Sequence, residues 1–199
     1  MILRANPRPR WSGSDPGNEY FERKYRMNNA QAGTTRRIVT AALMASLVCV
    51  ATMIVKIPSP LKGYLNLGDC VVLLSGWLLS PLYAFLSAGI GSALADLFSG
   101  YVIYAPATFA IKGIMAIIAF YVFKLLHKRI GPVPSRILSG TVAELVMILG
   151  YFIFEGILYG FGPSIINIPA NAVQATAGLA LGIVLMKVFE KNGITIIQQ

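Results

Sequence analysis

Residues 67–98 read LGDCVVLLSGWLLSPLYAFLSAGIGSALADLF. The stretch is apolar almost throughout, and its 32 residues exceed the roughly 20 that one bilayer crossing takes. Pro81 divides it. Proline suits the first turn of a helix, where its missing N–H would have had no partner. The pattern predicts two apolar helices joined by a tight turn at Ser80-Pro81. Asp69 and Asp96 frame this pair. A charged side chain at the centre of a membrane helix costs about 2.5–3.5 kcal/mol, so each needs a partner, a proton or a wet cavity.

The rest of the chain agrees with a membrane setting. Of 199 residues, 56% are hydrophobic and 13% charged, against about 25% charged in soluble domains. Further apolar segments lie at residues 35–56, 105–127, 136–159 and 168–188, with the pair at 67–80 and 81–98 between them. The reading is an all-α membrane protein, a six-transmembrane-helix bundle over residues 34–191. Residues 1–33 are polar, rich in Pro and Gly, and lack a signal-peptide core. They are expected to be a disordered cytoplasmic arm, or non-native sequence ahead of a start at Met27. Residues 192–199 form a short cytoplasmic tail.

Net charge is +9, and its placement reports topology. Arg36, Arg37, Lys124, Lys128, Arg129, Arg136, Lys187 and Lys191 fall at one set of segment ends, and only Lys56 and Lys62 at the other. Basic residues favour the cytoplasmic side, so both termini are expected there, and 63–69 begins on the outer side. This distribution speaks against nucleic-acid binding. Cys49 and Cys70 sit inside apolar segments as packing residues. No phosphate-binding loop, metal-ligand spacing or nucleophile–base arrangement stands out. No catalytic residue, metal or cofactor of the chain's own is expected, and the chain is not read as an enzyme.

Five ionisable residues lie within the segments: Asp69, Asp96, Lys112, Glu144 and Glu155. The charge-derived topology puts four of them in the outer half and Glu144 in the inner half. Lys112 is too deep to reach water easily and must meet a carboxylate or a ligand; Glu155 is its expected partner. Asn167, Asn171 and Gln174 follow i, i+4, i+7 spacing on one helical face. Tyr151 and Glu155 share a face, as do Thr108 and Lys112. With Asn66, Asp69, Asp96 and Tyr101, these residues form the candidate substrate site. Plainer roles compete with it. Asp69 suits a helix N-terminus with Asn66 as its cap, and Asp96 with Tyr101 suits a turn. Asn167 suits an N-cap, and Tyr64, Tyr101, Tyr104 and Tyr159 suit an interfacial belt. In AALMASLVC, residues 41–49, Ala41 and Ala45 make a small-residue pair that permits close helix approach. It serves either internal packing or a partner.

The strings YLNLGDCVVLL (64–74), GIGSALADLFSGY (89–101), YAPATFAIKGIMA (104–116) and NIPANAVQATAG (167–178) resemble the S components of energy-coupling factor (ECF) vitamin transporters. The similarity is to the riboflavin-type family that includes HmpT-like proteins, and it covers about residues 35–191. The resemblance implies a vitamin pocket near the outer face, covered by the loop between the first two spans. It implies a bacterial-type plasma membrane. It also implies a transmembrane coupling protein and two ATPase subunits as partners, which bind the ATP. Ala41 and Ala45 match the family's docking face for the coupling protein. Four carboxylates against one lysine disfavour a multiply anionic ligand and favour hydroxymethylpyrimidine or pyridoxine, with riboflavin and cobalamin as alternatives. The rival reading is a stand-alone proton-coupled secondary transporter using Glu144, Glu155 and Lys112 as a relay.

Overall fold

The structure, a computed structural model, describes residues 16–59 and 63–192. Residues 1–15, Lys62 and most of the expected tail lie outside the described residues. The chain divides into two units, residues 1–38 and 39–199. Everything below concerns the second unit, apart from the start of its first helix.

Helix α1 spans Pro16–Ile54. It begins well before the expected residue 35, so residues 16–33 are helical rather than a disordered arm. Pro16 opens the helix at a tolerated position, and Glu, Arg, Lys, Met and Ala carry it forward as good helix formers. Two-residue strands β1 (Ile57–Pro58) and β2 (Tyr64–Leu65) pair antiparallel and interrupt the all-α pattern. Then come α2 (Gly68–Leu78), α3 (Pro81–Phe98), α4 (Ala105–Ile130), α5 (Pro132–Tyr159), the short α6 (Phe161–Ile165) and α7 (Ile168–Lys191). The expected break at Pro81 is present. Ser80 is extended, with φ −71° and ψ 157°, the region that a following proline imposes.

Five helices are long and apolar enough to cross a membrane: Gly33–Ile54 within α1, then α3, α4, α5, and Phe161–Lys191. The apolar α2 has 11 residues, about 16 Å, too short to cross alone. It lies against α3, α4, α5 and α7, and every residue from Gly68 to Trp77 is buried. Apolar side chains such as Leu43, Leu82, Leu125, Leu145 and Ile157 cover the exterior. Lipid supplies no hydrophobic drive between helices, so association rests on close packing and small residues. Val48, Leu73, Trp77, Ala84, Ala88, Met115, Ala116, Ala143, Met147 and Met186 form that interior. The Trp77 indole N–H donates to Ser139 Oγ at 3.0 Å. At the same end, Arg136 donates to Glu190 Oε1 at 2.6 Å and lies over the Phe123 ring.

The small face of α1 points inward. Ala41 is buried in the core, and a Cβ on Gly91 of α3 would stand 2.4 Å from the Ala45 carbonyl oxygen. Only a glycine lets α1 and α3 come this close. Of the pair read as a docking surface, Ala41 is taken up by internal packing, and Ala45 sets its backbone against Gly91 while its side chain stays half-buried. The outward small pair, one position on, is Ala42 and Ser46.

Candidate functional site

Where β2 meets α2, polar residues of α3, α4, α5 and α7, of the connections that precede α4 and α7, and of the hairpin converge on a small cavity of about 30 Å³. Of the eleven expected site residues, nine line it: Asn66, Asp96, Tyr101, Thr108, Tyr151, Glu155, Asn167, Asn171 and Gln174. Asp69 and Lys112 do not. Ser59, Gly63, Tyr64 and Tyr104 line it as well.

Hairpin and helix ends build one wall. The Tyr64 hydroxyl donates to Asp96 Oδ1 at 2.7 Å, and its ring stacks on Tyr101 with centroids 4.7 Å apart. Burial, and then the neighbouring Asp96 charge, hold the Tyr64 phenol well above its ordinary value, so it stays a donor. Lys56 donates to Ser99 Oγ at 2.7 Å beside it. Asp96 is thus more than a turn residue: its second oxygen faces Thr108 without closing a hydrogen bond. Thr108 and Tyr151 share a hydrogen bond of 3.1 Å.

The opposite wall centres on Glu155. Its Oε1 accepts from Asn167 Nδ2 at 2.6 Å and from the Tyr104 hydroxyl at 3.5 Å. Burial, with Tyr159 and Glu155 nearby, raises the Tyr104 phenol. Asn167 occupies the N-cap position of α7 but makes no side-chain cap; it turns inward to Glu155 instead. Asp96 Oδ2, Glu155 Oε2 and Asn167 Oδ1 are buried without a hydrogen-bond partner among the described residues. A buried acceptor left unpaired costs about 1–3 kcal/mol. These three acceptors around one cavity, with the Ser59 hydroxyl also unpaired among the described residues, make it a receptor chiefly for hydrogen-bond donors. Among the described residues its lining holds two carboxylates and no Lys, Arg or His.

Beneath the cavity lies a separate ion pair. Lys112 pairs with Asp69, not with Glu155. The face of α4 that carries Lys112 packs on α2, so Lys112, one turn below Thr108, meets the first turn of that helix. Glu155 stays level with Asn167. Asp69 is fully buried, and its Oδ2 accepts from Gln174 Nε2 at 2.7 Å. Gln174 Oε1 in turn accepts the Asn66 backbone N–H at 2.9 Å. Asn66 Oδ1 accepts the Gly68 N–H at 2.9 Å, so Asn66 does cap α2, from one residue before the N-cap position. Glu144 is buried below Asp69 with neither oxygen hydrogen-bonded among the described residues. There Gly178 has no room for a side chain: a Cβ would stand 2.7 Å from Asp69 Cβ and 3.1 Å from Glu144 Oε1. Among the described residues no three His, Cys, Asp or Glu side chains gather as a metal site.

The residues missed by sequence reasoning were Tyr64, Tyr104, Ser59 and Gly63. For Tyr104 a signal existed, because Tyr104, Thr108 and Lys112 repeat every four residues and share a helical face. Tyr64 shares a strand face with Asn66 two residues on. Its bond to Asp96 joins positions 32 residues apart, which local spacing does not reveal.

Comparison with known proteins agrees with this architecture. Residues 32–191 match the family model of the ECF-type riboflavin transporter S component. An uncharacterised protein of Pyrococcus woesei is 39% identical over 137 residues, 68% of this chain and 88% of that protein. The thiamine precursor transporter HmpT of Lactococcus lactis subsp. cremoris is 29% identical over 138 residues, 69% of this chain and 76% of that one. The fold resembles a solved S component of a bacterial ECF transporter with a TM-score of 0.60 and 21% identity, covering 80% of this chain and 96% of the other. With the family model spanning most of its length, the chain is a multi-pass membrane transport subunit and belongs to the ECF-type riboflavin transporter S components.

Proposed function

We propose that the chain captures a small, uncharged or weakly basic vitamin precursor from outside the cell, hydroxymethylpyrimidine or pyridoxine. It then delivers the ligand inward with a coupling protein and two ATPase subunits. The observation that carries this reading is the set of three unpaired buried acceptors, Asp96 Oδ2, Glu155 Oε2 and Asn167 Oδ1. Hydroxymethylpyrimidine offers three donor hydrogens, two on its amino group and one on its hydroxyl. Pyridoxine offers three hydroxyls. A lining whose described residues include two carboxylates and no cation disfavours phosphate esters and favours rings that carry donors. Tyr64, Tyr101, Tyr104 and Tyr151 supply ring faces for stacking. The thiamine-precursor name of the Lactococcus relative supports the pyrimidine.

In this reading six helices cross the cell membrane, α2 with its flanking residues as the second. The cavity faces outward, and both termini are cytoplasmic, following the basic residues. Ligand binding needs no ATP from this chain. The test is calorimetric titration of the purified protein with hydroxymethylpyrimidine, pyridoxine, thiamine, riboflavin and cobalamin. Saturable heat with one of the two small rings is expected. Heat only with riboflavin or cobalamin, or with neither ring, overturns the assignment. Uptake in vesicles driven by a proton gradient without the ATPase subunits would instead support a secondary transporter.

A further inference from the structure

The ion pair Asp69–Lys112 is buried and lies outside the cavity lining; Lys112 lies over the ring of Tyr151, and Asp69 is hydrogen-bonded to the lining through Gln174. We propose that Asp69 and Lys112 are positioning residues: they fix the direction of the Gln174 amide, and Gln174 then clasps the β1–β2 hairpin shut over the cavity.

The geometry leaves the amide one orientation. An ion-paired carboxylate offers acceptors only. Asp69 Oδ1 is taken by the Lys112 ammonium, so Oδ2 takes the Gln174 NH2 group. That turns Gln174 Oε1 toward the hairpin, where it accepts the Asn66 backbone N–H and, at 3.4 Å, the Asn66 side chain. A flipped amide would set oxygen against carboxylate and NH2 against N–H, losing both bonds and adding two like-charged contacts. Asn66 is the last link between β2 and α2, and Ser59, Gly63 and Tyr64 of the hairpin line the cavity. Among the described residues, β2 and the residue after it are therefore tied at two places. The Tyr64–Asp96 bond holds it to α3, and the Asn66–Gln174 bond holds it to α7. Only the second tie depends on a charge pair one layer deeper, contributed by α2 and α4. Ligand entry and exit past the hairpin must part these ties, so the buried pair sets how long the site stays closed.

The test is backbone hydrogen exchange at residues 64–66 of the full chain in lipid nanodiscs, without ligand. Its outcome is thus independent of which vitamin binds. Gln174→Glu keeps an acceptor for Asn66 but removes the donor to Asp69. Exchange is expected to rise about fivefold to tenfold, the scale of one hydrogen bond. Adding Asp69→Asn restores the pair in reverse, with residue 69 donating to residue 174, and is expected to return exchange to within about twofold of the parent. A purely structural role for Asp69 gives no such rescue. If Gln174→Glu does not fold, Asp69→Leu with Lys112→Met removes both charges together and is expected to give the same acceleration. Unchanged exchange in the variant that folds, or a double variant as fast as Gln174→Glu alone, overturns the proposal. Stopped-flow dissociation of hydroxymethylpyrimidine from the same samples then reports separately whether the slower-opening proteins release it more slowly.

Discussion

Replacing Glu155 with Gln tests the donor-receptor reading of the cavity directly. Glu155 is buried, and its two oxygens do different work. Oε1 accepts from Asn167 at 2.6 Å and from Tyr104 at 3.5 Å, and a glutamine oxygen keeps both bonds. Oε2 has no partner among the described residues, and in glutamine an NH2 group stands there. The fold should hardly notice, because every bond within the protein survives. A bound ring notices, because a charged acceptor turns into a donor facing its own donor. A hydrogen bond to a charged group is worth about 1.5–3 kcal/mol, so Kd for hydroxymethylpyrimidine should rise about 10- to 150-fold. Calorimetric titration measures Kd, and thermal unfolding of the same sample checks the fold. An unchanged Tm with Kd within about twofold of the parent would remove Glu155 from the site and with it the claim that unpaired acceptors select the ligand.

Tyr64→Phe keeps the ring stacked on Tyr101 but strips Asp96 Oδ1 of its donor; ligand dissociation followed by stopped flow should accelerate about tenfold or more, and an unchanged rate would show that this bond does not hold the hairpin. Because the Tyr64 phenol is raised by burial, its contribution is complete below the unfolded value of about 10 and is lost only as pH climbs past the folded one. Parental dissociation should therefore show no Tyr64-dependent change between about pH 6 and 9, and a Tyr64-dependent step inside that window would contradict the geometry. Gly178→Ala forces a methyl against Asp69 and Glu144, so unfolding in detergent should show a loss of about 1–3 kcal/mol; a parental Tm would mean the helices part there at no cost. Ala41→Leu with Ala45→Leu should lower Tm by overpacking the α1–α3 contact, whereas Ala42→Leu with Ser46→Leu should leave Tm and ligand affinity alone; if only the latter pair also abolishes coupled uptake, the docking face is the outward one.

What could be read in the chain was what repeats locally. Pro81 announced the break between α2 and α3. The spacing of Asn167, Asn171 and Gln174, and of Tyr151 with Glu155, announced faces that the structure brings to one cavity. What escaped was rotation about the helix axis. One residue turns a face by about 100°, so Ala41 and Ala42 point different ways, and only packing against Gly91 decides which is buried. The partner of Lys112 escaped for a related reason. Depth alone allowed both Asp69 and Glu155, and the choice depends on how α4 faces α2. Helix α6, with FGPSI at residues 161–165, carries Gly and Pro and too few residues for any period to show.

The length of α2 has a consequence for where a ligand can be held. Helices α2 and α3 leave a common turn at Ser80, yet α2 has 11 residues and α3 has 18. At 1.5 Å per residue the shorter one ends about 10 Å early. Its neighbours continue past that point, so a well stands above its first turn, with Gln174 between it and Asp69 and the hairpin across the top. The binding volume is made by leaving a helix unfinished rather than by pushing helices apart. Lengthening α2 by two turns would fill it at the expense of the hairpin that now closes the top.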